Sequence, residues 1–313
     1  PNTPFCDNAG TIEPGAVLNE NFRLIMNDAR DVLINQNTTS TSSDGPIYVM
    51  TTLGAGSITV NNDITSTTNQ TLIATSGVQT TGRSINLNGG SLTSAGRIVD
   101  TSSSGALIVQ TNLDGSSITL GNNGILVGNN DIVELRGSSA PTTAQTNYNM
   151  PTIAGSGPTN GSIMRFVQQA TGSEIDESGL AIADFETVEM TGSFASAATH
   201  QIGVLANVGT LNLDNATSGN LTLNGVGSSS VGTVNNSNNL DIRANNNFSA
   251  TTISLSNDGV LLTDNDTNID VDLLSIGADA GFGASTDVLL TGGTQMQVFG
   301  DGTANTMSQN IQA

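Results

Sequence analysis

Apolar and polar residues alternate along this chain in short runs, and each run closes on Asn, Gly or Asp. Ser57-Ile58-Thr59-Val60-Asn61-Asn62 returns as Ser84-Ile85-Asn86-Leu87-Asn88-Gly89 and again as Ser117-Ile118-Thr119-Leu120-Gly121-Asn122. A related phrase, Gly209-Thr210-Leu211-Asn212-Leu213-Asp214, is followed by Gly219-Asn220-Leu221-Thr222-Leu223-Asn224. Alternation with a period of two puts the Ile, Val and Leu side chains on one face of a strand. Asn and Gly accept the left-handed backbone that turns the chain. Short strands and turns, repeated without helices, predict an all-β fold, a parallel β-solenoid or β-helix. Each coil of such a fold contributes a few inward apolar side chains, and stacking closes the core. Ile58, Val60, Ile85, Leu87, Ile118 and Leu120 are the expected inward residues of one continuous core.

Strands are expected at 47–51, 57–61, 71–75, 84–88, 97–100, 106–110, 117–120, 124–127 and 132–135. They resume at 202–206, 210–213, 220–223, 239–243, 251–255, 259–263, 268–274, 286–290 and 295–299. Three strands per coil would give coils of roughly 20 to 35 residues. Such uneven spacing argues against the strict register that a flat row of Thr side chains would need. Proline lacks the ladder N–H and is kept out of central strands. Pro1, Pro4, Pro14 and Pro46 lie early and Pro141, Pro151 and Pro158 in the middle, leaving two long proline-free stretches. The expected organisation is an entry and cap segment at 1–46, a first solenoid block at 47–136, and a Pro/Thr/Gly-rich loop or linker at 137–161. A second, more acidic block follows at 162–300, and a tail at 301–313 makes an assembly contact. In the entry segment Phe22, Ile25, Met26, Ala29, Val32 and Leu33 fall at helical spacing, which predicts an amphipathic capping helix over 19–34. Two strands, 22–26 and 32–34, are the competing reading.

Composition sharpens this picture. Ser, Thr, Asn and Gly fill roughly half the chain and apolar residues only 36%, which alone would suggest disorder. The patterned placement of the apolar residues opposes that. Of 34 ionisable Asp, Glu and Arg residues, 27 are acidic and 7 are Arg, there is no Lys, and the net charge is −20. A surface of this sign repels nucleic acid and anionic lipid, because phosphate binding needs Lys or Arg. It favours cations, water or a basic partner. The longest apolar runs are a few residues, far short of the roughly 20 that cross a bilayer, so no membrane insertion is expected. Cys6 is the single cysteine and makes no intramolecular disulfide. A chain that opens on Pro1 in place of Met fits removal of a leader.

Candidate chemistry is sparse. Asp264, Asp266, Asp270 and Asp272 form the densest carboxylate group, with Asn268 between them. Alternate spacing along an extended segment would put same-parity carboxylates on one face, an arrangement of hard oxygen ligands suited to Ca²⁺. The other reading is a solvated outer face with Ile269 and Val271 turned inward. Glu174, Asp176 and Glu177 read as an acidic surface turn, and His200, the sole histidine, as a surface or loop residue. Solenoid polysaccharide lyases use Lys or Arg beside Ca²⁺, which this composition hardly supplies. Solenoid glycosidases of the polygalacturonase kind carry paired Asp residues and a Gly-His-Gly, whereas His200 here follows Thr199. No catalytic constellation is therefore expected.

The phrases SITVNN, SINLNGG, GTLNLDN and GNLTLNG resemble the β-helical stalks of bacterial surface proteins, namely autotransporter passengers and filamentous haemagglutinin-like adhesins. The resemblance covers residues 47–135 and 202–300. The NPNG and NPNL signatures of two-partner secretion are absent. The resemblance implies an extracellular, cell-surface, non-enzymatic structural subunit. Because solenoid ends present unpaired backbone groups and the polar 300–313 tail offers no cap, copies of the chain are the expected partners in a head-to-tail filament. A monomeric adhesin that binds a cell or a glycan is the alternative, and a carbohydrate-active solenoid enzyme is a third.

Overall fold

The computed structural model describes side chains over 124–135, 152–167, 179–191, 200–214, 220–243, 246–263, 269–282 and 295–299, and elsewhere strand backbones alone. Every regular element described is a β-strand. The strands pair in parallel into sheets of fifteen, eleven and six strands, so the protein is a β-solenoid. Parallel pairing places each strand beside its counterpart one coil away. The ladder therefore runs along the solenoid axis.

Early coils visit all three sheets. Ser91–Ser94 joins the six-stranded sheet, Ile98–Asp100 the eleven-stranded and Ala106–Thr111 the fifteen-stranded. Later coils use two. Asn220–Leu223 lies in the eleven-stranded sheet, and the ten-residue Gly227–Asn236 strand in the fifteen-stranded one. In that long strand burial alternates up to Val231, breaks at Gly232 and Thr233, and resumes at Val234. One residue out of phase bends the strand and lets it do the work of two sides of a coil.

The core is a set of axial columns. Val133, Met164, Val188, Leu211, Val234, Ile253 and Leu274 stand in register and are all buried. Ile125, Ile153, Ile182 and Leu205 form a second column in the eleven-stranded sheet. Each such side chain contributes about 1.5–3 kcal/mol by leaving water. The first column shows coil lengths of 31, 24, 23, 23, 19 and 21 residues. Corners absorb the differences. Asn130, Asp184, Asn207, Asn257 and Asp279 take positive φ there, as the short polar side chains of Asn and Asp allow. At another corner Asn236 Nδ2 donates to Val260 O at 3.0 Å, and Asn238 Nδ2 donates to Leu213 O. One turn is thereby tied to the coils before and after it.

Several expectations change. In place of the capping helix over 19–34 the chain forms strands Arg23–Met26 and Val32–Ile34, because neighbouring strands offer those apolar residues a parallel partner. The 137–161 stretch includes strands Asn147–Asn149 and Thr152–Ala154, which continue two of the sheets. Asp176 and Glu177 open the strand Asp176–Ala183 and do not form a turn. In the tail, Ile311–Gln312 pairs with Val288–Thr291 of the same chain, so that piece extends its own sheet. The repeated phrases occupy different sides of the coil: 58–60 and 117–120 share the six-stranded sheet, and 83–87 sits in the fifteen-stranded one. The side chains of Ile58, Val60, Ile85, Leu87, Ile118 and Leu120, and all of Cys6 and Glu174, lie outside the described residues. Among the described residues no helix is long and apolar enough to cross a membrane.

Candidate functional site

The bend of the long strands recurs in successive coils and cuts an axial crease into the outer surface, a cleft of about 510 Å³. Its first wall is one outward column. Ser230 is in register with Ser249, and Ser249 with Asp270. Its floor is the out-of-phase position of each coil, occupied by Gly209, Gly232, Thr251 and Asp272 in turn. The first two have to be glycine. A Cβ on Gly209 would lie 2.5 Å from Pro158 O, and one on Gly232 2.6 Å from Gly209 O. In the next two coils Thr251 and Asp272 carry exposed side chains at the same place. Pro158 and Thr159 close the upper end.

The wall is held by side-chain hydrogen bonds between coils. Asn207 N–H donates to Ser230 Oγ at 2.8 Å, and Asn207 Nδ2 donates to Asp184 Oδ1 at 2.7 Å. Ser249 Oγ donates to Ser229 O at 3.2 Å. Ser230 therefore keeps its proton to give, and Ser249 its lone pairs to receive. Among the described residues no Lys or Arg lines the cleft.

Of the expected metal ligands, Asp270 and Asp272 sit at the lower end of this crease, both exposed, with Ile269 and Val271 buried between and beside them. Asp264 and Asp266 lie outside the described residues. Among the described residues no three His, Cys, Asp or Glu side chains gather as a metal site would require.

His200 is corrected from a surface residue to a fully buried one. Its strand places it in register with Leu221, at the head of the Leu221, Leu240, Leu261 column. Its ring stacks on Phe166, centroids 6.0 Å apart and planes 17° from parallel. Burial pushes its pKa down to about 4, so it is neutral near pH 7 and serves as a flat core residue.

Beside the crease the fifteen-stranded sheet shows two aligned polar columns. Thr187, Thr210, Thr233 and Thr252 align despite unequal coil lengths, contrary to the irregular register expected from the sequence. In the adjacent column Arg165 lies between Glu134 and Glu189, donating at 2.8 Å and 2.6 Å. Partial burial works against its charge, and the bonds to Glu189 and Glu134 outweigh that, so it is held protonated more firmly than usual.

The crease had no readable signature, because Gly-Ser-Ser-Ser at 227–230 looks like a loop. The one available signal was the pair Gly209 and Gly232, spaced by one coil. No protein-family model matches the chain, and neither a curated protein nor a solved structure matches it at a significant level.

Proposed function

We propose that the protein is a non-enzymatic structural subunit of an extracellular or cell-surface filament, whose copies stack end to end along the solenoid axis. The observation that carries this reading is the last described coil. Strand Gln295–Val298 pairs with Asn268–Ile276 and with no other described strand. The core columns run straight into it, with Met296 following Leu274 and Val298 following Ile276. Yet Val298 is 47% exposed and Phe299 57%. An open parallel edge with uncovered apolar side chains is a template for a further strand. Arg23–Met26, at the opposite end of the same sheet's strand order, has the matching polarity in a second copy. A head-to-tail contact of this kind is heterologous and grows as a fibre if it does not close. The tail strand Ile311–Gln312 occupies the neighbouring part of that end, which leaves 295–299 as the contact.

Light scattering and electron microscopy over a wide concentration range test the reading. The wild-type chain should form axial polymers. Val298→Asp with Phe299→Asp should keep it monomeric with the same circular dichroism spectrum. Monomers at every concentration would refute it.

A further inference from the structure

We propose that the axial crease is a binding groove for a linear, uncharged glycan laid parallel to the solenoid axis. The groove belongs to a single subunit, so it does not depend on the filament reading. Its length follows from the fold. The column from Asn207 to Asp270 crosses four coils, and adjacent parallel strands lie about 4.8 Å apart, so the polar groups repeat in even steps over roughly 15 Å. A pyranose ring is about one such step long. An extended peptide advances about 3.3 Å per residue, so one residue does not match one coil step of about 4.8 Å.

The chemistry of the lining matches a chain of hydroxyl groups. Ser230 is set to donate and Ser249 to accept, each fixed by its bond to the preceding coil. Asp270 and Asp272, exposed at the lower end, accept only, and carboxylates take strong hydrogen bonds from vicinal hydroxyls. A sugar hydroxyl both donates and accepts, so it satisfies both kinds of wall. Uronate, sulfate or phosphate groups would meet the two carboxylates without a cation in the described lining to offset them. At Gly209 and Gly232 the floor is backbone alone, with no side chain standing in the groove. The described lining offers no aromatic platform, so a single groove binds weakly, and repeated grooves along a fibre would add avidity.

The test uses the full chain with cellohexaose, chitohexaose and a galacturonate hexamer, read by calorimetry and by amide shifts in NMR. A neutral hexasaccharide should move the amides of Ser230, Ser249 and Thr251, and bind more tightly than its disaccharide. Asp270→Asn with Asp272→Asn should weaken it roughly tenfold, the scale of one to two lost charged hydrogen bonds. Thr251→Arg, which fills an exposed position in the floor, should abolish binding. Val226→Ser, at an exposed corner outside the groove, should leave it unchanged. No binding by either neutral oligomer, equal binding by the galacturonate, or undiminished binding by the double variant would overturn the proposal. So would a response of the Asp270 and Asp272 amides to Ca²⁺ alone, which would make this end of the crease a cation site only.

Discussion

A histidine at an inward strand position makes the fold sensitive to acid. The folded-state pKa of His200 is about 4, against an ordinary 6.5. The unfolded chain therefore takes up the proton at higher pH than the folded one. The stability this group contributes is fully present above pH 6.5 and is lost as pH falls towards 4, a change of about 3 kcal/mol. His200→Leu, which continues the Leu221, Leu240, Leu261 column, should remove this loss. Melting curves of the two proteins should agree above pH 7 and diverge below 6, with the variant the more stable. Glycines offer a second contrast at this scale. A Cβ at Gly232 would press on Gly209 O at 2.6 Å, whereas one at Gly281 meets nothing within 4 Å. Gly232→Ala should cost about 1–3 kcal/mol, as overpacking does. Gly281→Ala should be neutral or gain about 0.5 kcal/mol by restricting the unfolded chain. Denaturant midpoints decide both.

Strands show what the sequence could and could not convey. Runs such as Ser117–Leu120 and Asn220–Leu223 were legible to the residue, because alternation there is unbroken and a turn residue follows. Asn246–Leu255 was legible only from 251 onward. Its first half opens on two asparagines and carries only Phe248 and Ala250 as apolar residues, and the phase break at Thr251 and Thr252 hides the continuity. The helix expected at 19–34 failed for a related reason. A few apolar residues fit either period, and the partner strand that decides lies a coil away. The crease was invisible because it arises from phase breaks in successive coils, none of them remarkable alone. The charged column of Glu134, Arg165 and Glu189 was invisible likewise, since its members are 31 and 24 residues apart. It yields a prediction at this scale. Arg165→Met would leave two mostly buried carboxylates in neighbouring coils without the cation between them. The expected cost is about 2 kcal/mol, less than for a wholly buried pair because Arg165 is partly solvated. Added salt should reduce that cost, as thermal unfolding at low and high ionic strength would show.

The whole molecule behaves as a one-dimensional stack, since each coil touches chiefly its neighbours. Stability is then additive along the axis and weakest where a coil has one neighbour. Amide exchange should be slowest in the middle of the Leu211, Val234, Ile253 column and fastest in Gln295–Val298. Polymerisation should slow the terminal strand selectively, because a second copy would cover it. Uniform exchange along the axis, or a terminal strand whose exchange is independent of concentration, would contradict a stack with a sticky end.

Coils of 31 and of 19 residues share one unbroken register. The pitch is thus fixed by the backbone ladder and is indifferent to how many residues a coil spends on its outline. Insertions and deletions at corners such as the one bearing Val226, 86% exposed, leave the axis unmoved. A lineage that carries this fold can rewrite its exterior coil by coil under selection from whatever it meets, while the interior that makes it a rod stays the same. Identity searches should lose sight of such relatives well before the architecture does.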